Sequence, residues 1–485
     1  MTLSRCGGVL LHVTSLPGRH GVGSLNRSAY AWIDFLADSG QKVWQVLPLG
    51  PTSYGDSPYQ SLSTFAGNPY LISLDALVED GLCEAKDLKE LPEGKVDYCQ
   101  LHEWKLPLLH KIAEKIQPDQ DFHAFCKEQK WLPDYALFLA IKAEQNNQAW
   151  NQWPKPLRHR EPEALALART RHAQVIHREM VIQWLFFKQW KKLKEYSHKR
   201  NIQIFGDIPI FVAMDSADTW CNPGLFQFNA DLQPTAVAGV PPDYFAPTGQ
   251  LWGNPLYDWK AHKAEGYIWW LERVKAAFRL YDILRVDHFR GFAGYWRVPA
   301  KAETAETGRW VKGPGPDFFK TLLKAIANPI IAEDLGDITP DVTALRDQFK
   351  LPGMKILQFG FGSGPQNPFL THNFESTHFV AYTGTHDNDT ARGWYENGTE
   401  AEQRYARDYF GNIDEPISQT LIRATWQSVA KMAIIPLQDL LDLGSEARMN
   451  FPGRAHDNWQ WRLLPNQLTQ QHRDRLKTWT QMYGR

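Results

Sequence analysis

Eight short runs of apolar and β-branched residues are spread along the chain, and most of them end in a polar or Gly/Pro cluster. They occupy residues 8–14, 41–47, 202–208, 283–288, 329–333, 354–359, 378–382 and 432–436. Apolar character at nearly every position is typical of strands that are buried on both faces, as in parallel sheets. The runs therefore predict eight strands of one parallel sheet.

Segments with helical periodicity lie between many of these runs. They occupy residues 29–36, 268–281, 318–327 and 339–349. Ser28 is the predicted N-cap of the first helix, and Pro340 takes the first helical position of the last one. Strands alternating with helices predict an α/β fold, a (β/α)8 TIM barrel. A doubly wound open sheet is the alternative, but the strand count and the lack of a Gly-rich phosphate loop after the first strand disfavour it.

The predicted barrel spans residues 1–485 as a single domain with three insertions. Residues 60–200, between the second and third strands, are charged and predict a mostly helical subdomain, with helices at 104–116, 135–144 and 170–196. Residues 213–267, after the third strand, are rich in Pro, Gly and aromatic residues and predict a loop region that lines a cleft. Residues 295–317 predict a small insertion after the fourth strand.

Composition excludes several partners. Lys plus Arg number 53 and Asp plus Glu number 54, so no basic excess is present to bind nucleic acid. The basic stretch at 188–199 alternates with apolar residues, which favours a solvated helix face. No run approaches the roughly 18 apolar residues of a membrane helix, and the first residues lack the apolar run of a signal peptide. We therefore expect a cytoplasmic protein without nucleic-acid or membrane partners.

Cofactor and metal motifs are also missing from the sequence. The five cysteines are scattered and form no CxxC pair, which argues against a disulfide framework and a structural zinc site. Walker A, HExxH and GxSxG motifs do not occur. Asp337, Asp341 and Asp389 are compatible with a cation site, although surface solvation is favoured. The prediction is an enzyme with no cofactor and no metal.

Three acidic residues fall at the ends of separate predicted strands. Asp287 ends the fourth strand, Glu333 ends the fifth, and Asp387 follows the seventh. Taken singly, each is compatible with a structural ion pair, a turn or a cation-binding loop. In a TIM barrel, however, functional side chains lie at the carboxyl ends of the strands. Three acidic groups at one rim therefore favour a catalytic site.

The chemistry of crowded carboxylates suggests a reaction. Like charges raise the pKa of one group, so that one carboxyl stays protonated near pH 7 while another is ionised. Glycosidic cleavage needs this division between an acid and a carboxylate nucleophile. Arg285 lies two residues before Asp287 and points to the same face of a strand, so its cation is expected to hold Asp287 ionised.

Several short motifs around these residues resemble those of a known group of enzymes. Residues 285–291, 332–336 and 384–388 resemble three signature regions of the α-amylase clan. More narrowly, the chain resembles the 4-α-glucanotransferase (amylomaltase, disproportionating enzyme) family through residues 56–59, 206–210, 215–220, 239–245, 252–257 and 449–453. The likeness runs from about residue 5 to about 465 and is weakest in the helical insertion. Asp207 is followed by Ile-Pro-Ile, as in that family, whereas Arg454 stands where many members have Thr.

The resemblance implies a retaining double displacement on α-1,4-glucans. Asp287 would be the nucleophile, Glu333 the acid and base, and Asp387 a clamp on the donor sugar. The implied substrate-binding residues are Tyr59, Asp215, Tyr244, Phe245, Trp252, Asn254, Arg285, His288, His386, Asn450 and Pro452. The implied partners are maltodextrins and α-1,4-glucans as donors and acceptors, with glucose as a further acceptor.

Two other functions are compatible with the sequence. An α-amylase-type hydrolase would use the same three carboxylates, with water in place of the sugar acceptor. Aromatic loops that exclude water favour transfer, but composition does not fix the ratio. A maltodextrin-binding protein on a degenerate barrel is disfavoured because all three acidic positions are intact. The sequence leaves the oligomeric state, the preferred chain length and any cyclising activity open.

Overall fold

The computed structural model describes residues 4–242, 247–411 and 414–485. Tyr244 and Phe245, two of the predicted binding residues, lie outside these ranges. The strands are β1 (Cys6–Leu10), β2 (Val43–Gln45), β3 (Gln203–Ile208), β4 (Ala236–Val240), β5 (Gln250–Pro255), β6 (Ile283–Val286), β7 (Gly294–Pro299), β8 (Arg309–Lys312), β9 (Ile330–Ala332), β10 (Gly353–Ile356), β11 (Phe379–Tyr382) and β12 (Met432–Pro436).

The α-helices between these strands range from three to 27 residues in length. They are α1 (Arg27–Asp38), α2 (Leu74–Glu79), α3 (Tyr98–Gln100), α4 (Leu106–Lys115), α5 (Gln120–Glu128), α6 (Leu132–Glu144), α7 (Lys155–Arg158), α8 (Pro162–Arg171), α9 (Ala173–Lys199), α10 (Ala217–Cys221), α11 (Trp259–Ala264), α12 (Ile268–Leu280), α13 (Arg290–Ala293), α14 (Gly315–Ala325), α15 (Pro340–Gln348), α16 (Ala391–Asn397), α17 (Glu400–Phe410), α18 (Ile417–Gln427), α19 (Leu437–Leu440) and α20 (Gln470–Met482).

Eight parallel strands form the predicted barrel. Their order is β10-β11-β12-β1-β2-β3-β6-β9, so each strand neighbours its predecessor and the last strand pairs with the first. In a doubly wound sheet the order of the strands would instead reverse at a switch point, and the sheet would stay open. Between β9 and β10 the Ala332 N–H donates to the Pro352 carbonyl at 2.8 Å, which nearly closes the ring. The predicted (β/α)8 barrel is confirmed.

Burial of the strands on both faces explains why they could be predicted from the sequence. Every residue of β1, β2, β6, β9, β11 and β12 is buried, because the barrel interior covers one face and the helices cover the other. Apolar side chains are therefore needed at nearly every strand position.

Most predicted helices differ from the structure by a few residues at their ends, and two predictions differ in more than that. The N-cap of α1 is Asn26, whose side-chain oxygen accepts from the Ser28 N–H at 2.9 Å, so the predicted cap Ser28 is wrong. The single helix predicted at 170–196 is two helices, α8 and α9, which are separated at His172. Pro340 occupies the first position of α15, as predicted.

The region between β2 and β3 contains α2 to α9, and two glutamines attach α9 to the segment that precedes α2. The Gln183 amide accepts from the Gly67 N–H at 2.7 Å and donates to the Gly67 carbonyl at 2.9 Å. Gln189 pairs in the same way with Ser73, at 2.7 and 3.1 Å. All four residues are buried, so each amide satisfies backbone groups that water does not reach.

A second, antiparallel sheet was not predicted. Its order is β5-β4-β7-β8, and it is built from the regions predicted as a loop (213–267) and as a small insertion (295–317). Strand β4 pairs with β7, which lies more than 50 residues later in the chain. On its other edge β4 pairs with β5, and the register of that pair shifts between Val237 and Gly239. Such non-local pairing leaves little periodic signal in the sequence. Trp252 on β5 approaches His288 to 4.8 Å between ring centroids, so this sheet lies beside the barrel rim.

Among the helices that the structure describes, none is both long enough and apolar enough to span a membrane.

The close contact between β3 and the segment after α12 is testable at Gly206. A Cβ at this position would overlap the ring of the buried Tyr281. We expect Gly206→Ala to destabilise the protein by about 1–3 kcal/mol, the usual cost of overpacking, and to lower the midpoint of thermal unfolding. Gly224→Ala is the matched control, because an added Cβ there meets no atom within 4 Å. Equal unfolding midpoints for the two variants would contradict the packing described.

Candidate active site

The predicted catalytic residues lie at the carboxyl ends of the barrel strands. Asp287 follows β6 directly, Glu333 follows β9 directly, and Asp387 lies five residues beyond β11. Since parallel strands of a barrel end at the same rim, the three side chains share one face of the molecule. Their local contacts assign each of them a different environment.

Arg285 is the centre of the first cluster. Its guanidinium donates to Asp207 at 2.5 Å and to Asp287 at 2.8 Å. The Arg285 side chain is only 4% exposed, and burial alone lowers its pKa, but the charges of Asp207 and Asp287 raise that pKa well above the ordinary value. Arg285 therefore stays a cation, and the partly exposed Asp287 carboxylate lies against a permanent positive charge.

Asp207 is a site residue that is not among the predicted ones. It pairs in register with Arg285 across β3 and β6, and its Oδ2 also accepts from the Tyr59 hydroxyl at 2.8 Å. Burial raises the pKa of Asp207, while Arg285 acts in the opposite direction. The sequence carried a signal for it, namely an acidic residue at the end of the third strand within the motif at 206–210.

Glu333 is the most deeply buried of the three. Its Oε2 accepts from the His288 backbone N–H at 2.6 Å, and its Oε1 accepts from the Leu335 N–H at 2.9 Å. Burial raises the pKa of Glu333 to about 8, and the Asp287 charge acts in the same direction, whereas Arg285 and the two N–H donors oppose them. A raised pKa of this kind favours the protonated form of Glu333 at neutral pH, the form that a general acid needs.

Asp387 is the most exposed of the three, with 43% of its side chain accessible. Asn450 donates to its Oδ1 at 2.6 Å, and His386 lies 3.3 Å from its Oδ2. Arg448, which was not predicted, donates to the backbone carbonyls of Asp387 at 2.6 Å and Asn450 at 2.8 Å. The predicted residues Asp387, His386 and Asn450 are thus brought together, with Arg448 holding the two backbone segments.

Aromatic rings line the site between these groups. The Tyr59 ring stacks on His386 at 5.2 Å between centroids, with 15° between the planes. Trp459, another residue that was not predicted, lies 5.8 Å from Tyr59 and 6.0 Å from His386. Burial, followed by the charge of Asp207, raises the pKa of Tyr59 well above its ordinary value, so its hydroxyl remains a donor.

On the other side, His288 and Trp252 meet edge to face. His288 has a left-handed backbone, with φ 51°, and its N–H donates to Glu333. Burial lowers the pKa of the His288 side chain to about 4, so the ring is neutral. The buried Asn254 donates to the Val212 carbonyl at 2.9 Å and accepts from Gln60 at 3.3 Å, which fixes its amide.

Two predicted binding residues have surroundings of another kind. Asp215 accepts from Lys142 at 2.5 Å and from the Trp150 N–H at 3.2 Å, which joins it to the helical insertion. Pro452 is exposed on the segment after Asn450. Next to it, the Arg454 guanidinium lies 4.5 Å from the centre of the Phe451 ring. Binding of sugar by Asp215 and Pro452 stays a prediction.

Within the described residues, no three His, Cys, Asp or Glu side chains come together in a way that could hold a metal ion. The charges of the site are instead balanced by Arg285 and by hydrogen bonds to Glu333 and Asp387. The arrangement offers a protonated acid, a carboxylate beside a cation and an exposed hydrogen-bonding carboxylate, the set that retaining glycosidic chemistry uses.

The chain is similar to known proteins over nearly its whole length. A family model described as 4-alpha-glucanotransferase matches residues 11–468. The 4-alpha-glucanotransferases of Thermus thermophilus and Synechocystis are each 49% identical to the chain and align with at least 98% of it and 98% of their own length. An amylomaltase from Streptococcus agalactiae, solved in complex with acarbose, is 42% identical, with a TM-score of 0.97 over 99% of both chains.

The protonation of Glu333 can be measured directly. Because burial raises its pKa to about 8, the carboxylic C=O band of this group should persist at pH 7 and disappear as the pH rises through 8. Infrared difference spectra of the protein against its Glu333→Gln variant isolate that band. A glutamate that is already ionised at pH 6 would contradict the environment described.

Proposed function

The chain belongs to the 4-alpha-glucanotransferase family and transfers segments of α-glucans, and we propose that it does so by a retaining double displacement through Asp287, Glu333 and Asp387. A single observation carries this mechanism. One buried cation, Arg285, contacts Asp287, while the neighbouring Glu333 is buried, makes no contact of its own with that cation among the described ion pairs, and has a raised pKa. The two carboxyl groups therefore lie in the different electrostatic environments that the two roles need.

In the first step Asp287 attacks the anomeric carbon of the donor. A bond forms between that carbon and an Asp287 oxygen, and the bond from the carbon to the glycosidic oxygen breaks. Glu333 gives its proton to the departing oxygen, so the leaving fragment has a free 4-hydroxyl. The product is a covalent β-linked glucosyl ester of Asp287.

In the second step the 4-hydroxyl of an acceptor sugar attacks the same carbon. Glu333, now a carboxylate stabilised by the His288 and Leu335 N–H groups, takes the hydroxyl proton. The ester bond breaks and Asp287 is released as a carboxylate. Two inversions at one carbon restore the α configuration. We expect a separation of roughly 5–5.5 Å between the two carboxyl groups, as in other retaining enzymes.

Asp387 takes the third role, which is to hold the donor sugar. Its exposed carboxylate is aligned by Asn450 and His386, and it is free to accept from sugar hydroxyls. The Tyr59 ring, which stacks on His386 and has the buried Trp459 tilted beside it, offers apolar surface to the sugar face. The proposed donors and acceptors are maltodextrins and longer α-1,4-glucans, with glucose as the smallest acceptor.

An α-amylase-type hydrolase is the alternative, in which water replaces the acceptor sugar in the second step. The names of the relatives and the nearly full-length family match favour transfer. In the proposed mechanism, Trp252 and the antiparallel sheet beside the rim help to exclude water from the ester.

We place this reaction in a reducing compartment such as the cytoplasm. All five cysteines of the chain are free thiols, which is typical of proteins that are not exposed to oxidising conditions.

The test uses maltotriose as the only sugar. Transfer produces a ladder of longer oligosaccharides together with glucose, because each donor fragment is passed to another maltotriose. Chromatography of the products separates this result from hydrolysis. Products shorter than maltotriose alone would exclude the transferase mechanism.

The nucleophile is tested by Asp287→Asn. An amide cannot form the ester, so we expect transfer to fall by at least about a thousand-fold, while acarbose binding by calorimetry changes by only a few-fold. Asp408→Asn, on the exposed surface of α17, is the control and should keep full activity. Substantial transfer by Asp287→Asn would assign the nucleophile elsewhere.

A further inference from the structure

The barrel has a weak point between β9 and β10. Seven of the eight neighbouring strand pairs form ladders with several residues in register, whereas this pair is joined through the single Ala332-to-Pro352 backbone bond among the described contacts. Glu333 immediately follows Ala332 at this seam. The backbone of Glu333 is bonded on its β6 side, to the Val286 carbonyl at 3.1 Å and the Phe289 N–H at 3.0 Å, so the side of the proposed acid that lacks a backbone ladder is the one facing β10.

A side chain completes the seam. Asp334, next to Glu333, accepts from the Met354 backbone N–H of β10 at 2.7 Å and pairs with the Arg346 guanidinium. Its carboxylate is 5% exposed. Gly353 leaves the room for it, since a Cβ at that position would overlap the Asp334 carboxylate. Asp334 thus takes the place of a ladder bond from β9 to β10.

The partner Arg346 belongs to α15, the helix that connects β9 to β10. Its side chain is 14% exposed and also contacts Asp347 at 2.7 Å and lies 5.5 Å from the Phe379 ring of β11. Asp334 therefore joins the end of β9 to the next strand and to the connecting helix at one carboxylate. Losing one partner of such a pair leaves the other charge buried and unpaired, which weakens the contact between the strand end and the helix.

Asp334 is linked to the active site through its two neighbours in the chain, Glu333 and Leu335. Successive side chains of extended chain point to opposite sides, so Asp334 faces the seam and Glu333 faces the site. The Leu335 N–H, directly after Asp334, donates to Glu333 at 2.9 Å. A rotation of the backbone at residue 334 would therefore shift the Leu335 N–H relative to the Glu333 carboxyl group that it binds.

We propose that Asp334 is a positioning residue, which fixes the carboxyl group of Glu333 by locking the β9–β10 seam through Met354 and Arg346. This inference rests on the proposed role of Glu333 as acid and base. A misplacement of about 1 Å of a catalytic group can cost on the order of a hundred-fold in rate. Asp334 touches no substrate in this proposal and acts only through its neighbour.

The test compares two pairs of substrates. Transfer between maltotriose molecules needs Glu333 twice, to protonate the leaving oxygen and to deprotonate the acceptor. Transfer from α-maltosyl fluoride to azide needs it in neither step, because fluoride leaves without a proton and azide attacks without losing one. A variant that is damaged only through Glu333 should be impaired on the first pair and not on the second.

For Asp334→Asn we expect kcat on maltotriose to fall about ten-fold or more, with KM within about three-fold of the native value. With α-maltosyl fluoride and azide the rate should stay within about two-fold of native. Gly353→Ala, which displaces the same carboxylate without removing a charge, should give the same pattern and serves if the first variant folds poorly. The control Asp347→Asn removes the other, 58% exposed partner of Arg346 and should be native-like on both pairs.

The opposing outcomes are distinct. Equal losses on both pairs would show general damage to the site, and native kcat on maltotriose would show that Asp334 positions nothing; either result overturns the inference. Glu333→Gln is measured alongside. If its activity is not recovered with α-maltosyl fluoride and azide, the role proposed for Glu333 fails, and the inference fails with it. If Glu333→Gln is recovered and Asp334→Asn is not, only the positioning role fails.

Discussion

The buried ion pair between Arg285 and Asp207 is the interaction on which the rest of the site depends. The two residues are register partners on adjacent barrel strands, so the ladder brings the charges together before any substrate is present. Isolated burial of either charge would be very costly, and their pairing offsets this cost. The other terminal nitrogen of the Arg285 guanidinium contacts Asp287. The Asp207 carboxylate also accepts a hydrogen bond from the Tyr59 hydroxyl. A strand pairing thus fixes both the nucleophile and an aromatic wall of the site.

The same cluster explains why two nearby carboxyl groups differ. Asp287 contacts Arg285 directly and is partly exposed, whereas Glu333 is buried and its hydrogen bonds come from backbone N–H groups. Burial acts first on Glu333, and the negative charge of Asp287 adds to it. The acid and the nucleophile are therefore distinguished by environment, since their functional groups are chemically alike.

The sequence predicted those parts of the molecule that leave a local pattern. Strands buried on both faces need continuous apolar residues, and acidic residues at strand ends are readable once a barrel is assumed. The partners of those residues are set by contacts that are distant in the chain, as for Tyr59 with Asp207 or Arg448 with Asp387. The antiparallel sheet was missed for the same reason. The N-cap Asn26 could not be told from Ser28 because both side chains can cap a helix, and only the chain path decides.

The weak seam beside Glu333 leaves the acid held unequally on its two sides. The Glu333 N–H donates to the Val286 carbonyl at 3.1 Å, and its carbonyl accepts from the Phe289 N–H at 3.0 Å, so backbone bonds tie the acid to the β6 side. The β10 side has no such ladder among the described strand pairs, and there the Met354 N–H finds its acceptor in the Asp334 side chain. A side-chain acceptor is lost by one substitution, whereas a backbone acceptor is not. The β10 side is therefore the side through which a mutation most readily changes the position of Glu333.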